Sequence, residues 1–214
     1  NNGKIRYIGG KWLVQTGAYV SPTITLTTDN LRGVPHIMPR VSASELSNGV
    51  KGTYVSEDNR WQPSDFPPVS RLITAPNITA GAECTITIVG TTDFTLIGAA
   101  SNAVGVTFTA TGAGTGTGVI DQYLGEDGGE RSWRELGLPY TKSAATAQRI
   151  SKAELERMRQ QITVEWPGKF NCYRLQPGNT VQITFAMFGW TAKVFEVVQT
   201  NLVMEEAEGG VRLG

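Results

Sequence analysis

Ser143-Ala-Ala-Thr-Ala-Gln-Arg-Ile-Ser-Lys-Ala-Glu-Leu-Glu-Arg-Met-Arg-Gln-Gln161 is the one stretch of this 214-residue chain with a sustained helical period. Ala144, Ala147, Ile150, Ser151, Leu155 and Met158 fall on a stripe about 140° wide at ~100° per residue, and Thr141 or Ser143 supplies the N-cap. Arg149, Lys152, Glu156 and Arg159 point away from the stripe. Glu154 lies inside it, which requires an edge position or a partner such as Arg157. The stripe is expected to dock on a sheet built from the C-terminal strands, so that truncating Leu155 is severe and truncating Arg159 mild. With one long helix, the fold class is mainly β (α+β): an antiparallel β domain carrying that helix and a small inserted β module.

Upstream, residues 1–71 offer only short extended segments, Ile5 to Ile8, Trp12 to Gln15, Thr23 to Thr27 and Val50 to Val55. Pro22, Pro35, Pro39, Pro63, Pro67 and Pro68 punctuate them. A short helix is predicted at Ala43 to Asn48, closed by Gly49. Downstream, Ile162 to Trp166, Tyr173 to Leu175, Val181 to Phe185 and Ala192 to Thr200 read as a meander. Gln176-Pro-Gly-Asn179 fits a type II turn joining two of its antiparallel strands.

Composition changes abruptly at Leu72. From there to Ile120 there is no Lys, Arg, Trp or Tyr, and Glu83 and Asp93 carry the only charges. Thr85-Ile-Thr-Ile-Val89 and Val106-Thr-Phe-Thr-Ala110 alternate Thr with apolar residues, the period of half-buried strands. The predicted organisation is therefore residues 1–71 and 121–214 as one discontinuous domain, with 72–120 inserted as a small β module that needs support from a neighbour.

The chain carries 19 basic and 19 acidic residues, so no global field recruits nucleic acid or an anionic membrane, and neither is an expected partner. No apolar run reaches the ~18 to 20 residues of a membrane span. The opening Asn1-Asn-Gly-Lys4, without an initiator Met or signal-peptide core, and the closing Glu208-Gly-Gly-Val-Arg-Leu-Gly214 read as the ends of an excised fragment. Cys84 and Cys172 lack ligand spacing and read as free thiols in a reducing compartment.

Motifs for chemistry are sparse. His36, the single histidine, sits between Pro35 and Pro39 and reads as structural or surface. Gly112-Ala-Gly-Thr-Gly-Thr-Gly118 lacks phosphate-loop spacing and reads as a flexible turn. Ser56-Glu-Asp-Asn59 with Asp65, and Glu126-Asp-Gly-Gly-Glu130, could bind a cation but match no calcium loop, and turn chemistry accounts for them. Asn77-Ile-Thr79 is a formal glycosylation sequon, meaningful only in a secreted eukaryotic protein. Trp12, Trp61, Trp133, Trp166 and Trp190 all lie outside 72–120 and read as core or interface fillers, with sugar stacking open for one or two. No catalytic residue, cofactor or metal site is predicted.

Several segments resemble a known family. Asn59-Arg-Trp-Gln-Pro-Ser-Asp-Phe-Pro-Pro-Val69, Gly129-Glu-Arg-Ser-Trp-Arg-Glu-Leu-Gly-Leu-Pro-Tyr140, Thr141-Lys-Ser-Ala-Ala-Thr-Ala-Gln-Arg149 and Glu154-Leu-Glu-Arg-Met-Arg-Gln-Gln-Ile-Thr163 are similar to the central hub region of tail-tip proteins of long-tailed bacteriophages and prophages. These are the host-specificity or tip-attachment proteins, related to baseplate hubs. Gly17-Ala-Tyr19, Asp29-Asn-Leu-Arg-Gly33 and Phe188-Gly-Trp-Thr-Ala-Lys-Val-Phe-Glu-Val197 add to the likeness, which covers 4–71 and 121–205. Residues 72–120 resemble a β module inserted or appended in phage structural and fibre proteins, and the insertion departs from the commoner pattern.

The resemblance implies a structural, non-enzymatic hub that closes the tail tube and acts in tail assembly, host attachment and genome delivery. It implies a homotrimer in the particle, located at the virion tail tip and assembled in the bacterial cytoplasm. Its expected neighbours are the distal tail protein, the tape-measure protein and receptor-binding fibres, with a bacterial surface receptor beyond. The alternative is a carbohydrate-binding module for bacterial surface glycan. A wall hydrolase would need Glu126 and Glu130 to flank a cleft.

Overall fold

A computed structural model describes residues 4–8, 10–15, 20–42, 46–203 and 210–213. Gly17-Ala-Tyr19 and residues 43–45 of the predicted short helix lie outside them, and the remaining 46–48 are not helical. The strands are β1 (Lys4–Ile8), β2 (Lys11–Gln15), β3 (Ile24–Leu26), β4 (His36–Met38), β5 (Gly49–Ser56), β6 (Gln62–Ser70), β7 (Leu72–Thr74), β8 (Glu83–Ile88), β9 (Thr107–Thr109) and β10 (Val119–Asp121). Helix α1 (Gln122–Glu126), β11 (Trp133–Leu138) and helix α2 (Ala144–Met158) follow. The chain ends with β12 (Thr163–Gly168), β13 (Thr180–Phe185), β14 (Trp190–Glu196), β15 (Thr200–Val203) and β16 (Gly210–Leu213). The fold is mainly β with one main helix, as the periodicity implies.

The chain divides into two compact units, residues 1–41 with 161–214, and residues 42–160. In the first, β15-β16-β12-β4 and β14-β13-β3 form two sheets, and β1 and β2 pair as a separate antiparallel hairpin. The apolar alternation of β13 puts Val181, Ile183 and Phe185 into a core with Leu26, Val164, Trp166, Cys172, Leu175 and Val197. The predicted Tyr173 to Leu175 strand is instead the end of a 3₁₀ turn over Phe170–Arg174. Local bonds from the Cys172 N–H to the Lys169 carbonyl and from the Leu175 N–H to the Cys172 carbonyl outcompete a ladder there. Gly178 has the positive φ of 88° that the type II turn requires, but the turn leads from that 3₁₀ segment into β13 and joins no two strands of a meander.

In the second unit, β11-β5-β6 is a three-stranded sheet in which β11 pairs parallel to β5 and β5 antiparallel to β6. Helix α2 starts after Ser143 at the N-cap and buries Ala147, Ser151 and Leu155. Its stripe meets Val50, Phe66 and Tyr123, with Ala144, Met158, Leu136 and Leu138 at the margins. The helix thus docks on β5 and β6, contrary to the expectation of the C-terminal strands. The stripe fixes which helix face is apolar and carries no information about which sheet receives it. Glu154 sits at the stripe edge and pairs with Arg157 at 3.6 Å.

The remaining sheet of this unit, β7-β10-β8-β9, is built from residues 72–121. Its core is Ala75, Ile78, Cys84, Ile86, Phe94, Ile97, Ala99, Phe108, Ala110 and Ile120, all from the Thr/Gly-rich stretch. The run from Gly112 to Gly118 is packed at its end: the Gly118 N–H donates to Thr92 Oγ1 at 2.8 Å, and a Cβ there would fall 2.5 Å from the Phe94 ring. Short α1, which the acidic turn signals concealed, packs on β8, where a Cβ on Gly125 would meet the Cys84 backbone at 2.5 Å.

Cys84 is fully buried, and burial, with the nearby Glu126 charge, pushes its thiol up to about 11 from the ordinary 9.0. As pH rises from 9.0 toward about 11, the unfolded chain releases a proton that the folded chain keeps, so stability falls through that window. Cys84→Ala is expected to flatten this alkaline slope in urea-unfolding free energies measured against pH. An unchanged slope would place its origin elsewhere.

Candidate functional site

Among the described residues, the densest polar arrangement lies where α1, the end of α2 and the entrances to β5 and β11 converge within residues 42–160. Asp121 ends β10 and caps α1, its Oδ1 accepting the Leu124 N–H at 3.3 Å. Its Oδ2 accepts from Arg131 Nη2 at 2.7 Å, and Arg131 Nη1 donates to the Asn48 carbonyl at 3.1 Å. Asn48 is fully buried. It donates to Asp127 Oδ2 at 2.9 Å and to the Glu130 carbonyl at 2.6 Å, and accepts the Ser132 N–H at 2.9 Å.

Arg159 completes the cluster. It is the residue immediately beyond α2, its N–H still donating to the Leu155 carbonyl at 3.1 Å, and its side chain is 6% exposed. Nη1 donates to both oxygens of Asp127 at 3.0 and 2.9 Å, Nη2 donates to Glu126 Oε2 at 2.8 Å, and the guanidinium lies 4.5 Å from the Tyr123 ring centre. Burial alone would lower its affinity for a proton, but the bonds and charges of Glu126 and Asp127 hold it above the ordinary arginine value. Tyr123 donates its hydroxyl to Glu156 Oε2 at 2.6 Å, and Glu156 Oε1 accepts from Arg71 Nη1 at 2.6 Å. Burial first, then that bond to a carboxylate, drives the Tyr123 phenol strongly upward. The outward orientation expected of Arg159 and Glu156 is therefore corrected for both.

These groups are held by one another. Glu126, offered as half of a hydrolytic carboxylate pair, accepts from Gln122 Nε2 at 2.9 Å and from Arg159, while Glu130 uses its backbone carbonyl toward Asn48. The arrangement ties α1 and the end of α2 to the entrances of β5 and β11. Among the described residues no group of three or more His, Cys, Asp or Glu could hold a metal ion. Ser56 ends β5 and residues 57–61 form the turn to β6, with Asn59 Nδ2 donating to Ser64 Oγ at 3.2 Å. His36 lies exposed on β4, opposite Glu165. Asn77 donates to Thr74 Oγ1 at 2.9 Å in a 3₁₀ turn.

The tryptophans separate. Trp166 is core; Trp190 is half-buried; Trp12, Trp61 and Trp133 are exposed. Lys142 Nζ lies 4.6 Å above Trp61 and the Arg131 guanidinium 5.1 Å from Trp133. A groove of about 680 Å³ opens on β5, β6 and β11, lined by Lys51, Thr53, Asp65, Pro68, Glu135 and Gly137 among others. No helix among the described residues is long and apolar enough to cross a membrane.

No family model and no curated protein matches this sequence. Among solved structures, the tail protein from Neisseria meningitidis MC58 is similar, at 15% identity and a TM-score of 0.47. The match covers 95% of this chain and 48% of that one, so the present chain spans about half its length.

The polar junction went unseen in the sequence because its members are scattered from Asn48 to Arg159. Asp121 three residues before Leu124 was the one local cue, a capping spacing ahead of α1. Leu155→Ala is expected to cost about 2 to 5 kcal/mol. Arg159→Ala should cost on the order of 3 kcal/mol, because it strands two carboxylates in a partly buried site. Equilibrium urea unfolding compares the two, and a near-native midpoint for Arg159→Ala would show that the clasp contributes nothing.

Proposed function

We propose that this chain is a structural, non-enzymatic part of a phage tail tip: a hub piece acting in tail assembly and host attachment, three copies to a particle. What supports the reading is the convergence of the family-like segments. Asn59 to Val69 supplies the β5–β6 turn and β6, Gly129 to Tyr140 carries β11, and Thr141 to Arg149 with the start of Glu154 to Thr163 makes α2. Separated in sequence by residues 72–120, they pack around one core of Val50, Phe66, Ala147 and Leu155. A sequence likeness carried by surface loops alone would not have to assemble in this way.

Under this reading the exposed Trp61 and Trp133 and the open face of β11-β5-β6 meet neighbouring tail proteins. Exposed aromatic side chains that a partner buries carry much of the energy of protein interfaces. A tube-closing ring needs repeated heterologous contacts about the tail axis. Imaging of the assembled tail tip without imposed symmetry is expected to find three copies of this chain around that axis. A single copy, or six on the tube wall, rejects the hub assignment.

The division into 1–71 with 121–214 and an inserted 72–120 belongs to the same proposal. Antiparallel pairing sets Leu72 opposite Asp121 and Ile73 opposite Ile120, so the two ends of the insert lie one strand spacing apart. Deleting Ile73 to Val119 with a short linker should leave a cooperatively unfolding protein, with a lower midpoint because α1 loses β8. Loss of the cooperative transition in thermal melts would reject the insertion.

A further inference from the structure

Zero net charge over the whole chain conceals a local excess. Residues 1–28 contain Lys4, Arg6 and Lys11 and no acidic residue, the first being Asp29. All three cations lie in the β1–β2 hairpin, and its register sorts them. Ile5 pairs with Val14 and Tyr7 with Trp12, while the alternate pairs are Lys4 with Gln15, Arg6 with Leu13 and Ile8 with Lys11. One set is wholly apolar and the other holds every cation. The apolar set is uncovered: Ile5 is 69%, Tyr7 62%, Trp12 72% and Val14 72% exposed. The rings of Tyr7 and Trp12 lean on each other at 5.1 Å, tilted by 55°. An isolated two-stranded hairpin is marginal in water, so this one is completed by what it meets.

We infer that the β1–β2 hairpin is a peripheral membrane-binding element that lies in the interface of a bilayer rich in anionic lipid. Aliphatic side chains exposed to this extent call for an apolar phase, and Trp and Tyr beside them favour the headgroup boundary, where a ring is half immersed and its polar atom stays wet. Cations on the alternate pairs match the remaining requirement, attraction to negative headgroups. A second copy fits less well. It would bring like charges together, and four side chains of these sizes cover roughly 500 Å², short of the ~800 Å² per partner of a standard interface. Single-stranded nucleic acid would suit the rings and cations but gives Ile5 and Val14 nothing apolar to enter. This inference stands apart from the tail-tip reading and fails or holds without it.

The test is flotation of the full chain with vesicles of phosphatidylcholine mixed with phosphatidylglycerol, against phosphatidylcholine alone. Binding is expected to the anionic vesicles and to weaken with salt. Lys11→Gln should weaken it about fivefold, and Tyr7→Ser combined with Trp12→Ser by about tenfold or more. Because these side chains are exposed, thermal unfolding of the variants should match the parent and separate lost binding from lost fold. Trp12→Phe should retain binding while removing most of the blue shift in tryptophan emission. Absence of binding to anionic vesicles overturns the proposal, as does binding indifferent to the Tyr7 and Trp12 substitutions. Concentration-dependent mass above 23.1 kDa that the same substitutions abolish would replace it with self-association, and oligonucleotide binding through Lys11 without vesicle binding would replace it with nucleic acid.

Discussion

Arg159 is the pin of the unit formed by residues 42–160. Its guanidinium joins the end of α2 to the carboxylates of α1 and the turn after it, and Asn48 joins that same turn to the entrance of β5. Asp121, Glu126, Asp127 and Glu156 each accept from an arginine, which a partly buried ionic cluster requires if it is not to destabilise the fold. The packing on either side is modest: the apolar contacts of α2 with β5 and β6, and the self-contained core of the Thr/Gly-rich sheet. Neither reaches the size at which a single core stands comfortably alone. The polar junction fixes the distance and angle at which the two share one body.

This explains what could be read from the sequence and what could not. β5, β8, β9, β13 and α2 were legible because their periodicities are local, two residues for a half-buried strand and 3.6 for a helix. The buried apolar core of the Thr/Gly-rich sheet runs from Ala75 to Ile120, inside the stretch that lacks Lys, Arg, Trp and Tyr. The sheet that receives α2 was not legible, since nothing in Ala147 or Leu155 says whether Phe66 or a later strand lies opposite. Nor was the burial of Arg159, because the wheel sets it off the apolar stripe and no local signal says that the carboxylates of Glu126 and Asp127 stand beside that flank of the helix. Tyr173 to Leu175 failed for the opposite reason: its β-prone composition was overruled by 3₁₀ bonds begun at Lys169.

Aromatic placement follows a gradient within the unit of residues 1–41 and 161–214. Buried Trp166 meets Phe185 edge to face at 6.1 Å, Phe185 stacks on Phe188 at 5.4 Å, and Trp190 lies 5.5 Å from Phe188 and 5.3 Å from Phe195. The series passes from the core to half-exposed Phe188, with Lys193 Nζ 5.0 Å above the Trp190 ring. Each ring in the row packs on the one before it, and the outer rings lie at the β13–β14 hairpin. Trp12, by contrast, leans on Tyr7 of its own hairpin.

The boundary seen in composition and the boundary set by packing do not coincide. Charge returns at Asp121, yet the chain does not leave the Thr/Gly-rich sheet there. Asp121 still pairs with Thr85 and Leu72, α1 lies against β8 through Gly125, and a Cβ on Gly129 would sit 3.2 Å from Thr107 Oγ1. The sheet is closed by residues whose side chains also belong to the framework: Tyr123 enters the core under α2 while Gly125, two residues on, meets Cys84. On a short helix, positions two apart diverge by about 200°, so α1 serves two cores from opposite sides. The Thr/Gly-rich sheet, which has no Lys, Arg, Trp or Tyr of its own, is in this way tied through α1 to the ionic groups beyond it. A change in α1 therefore strains both cores at once, whereas a change on the far strand β9 strains one.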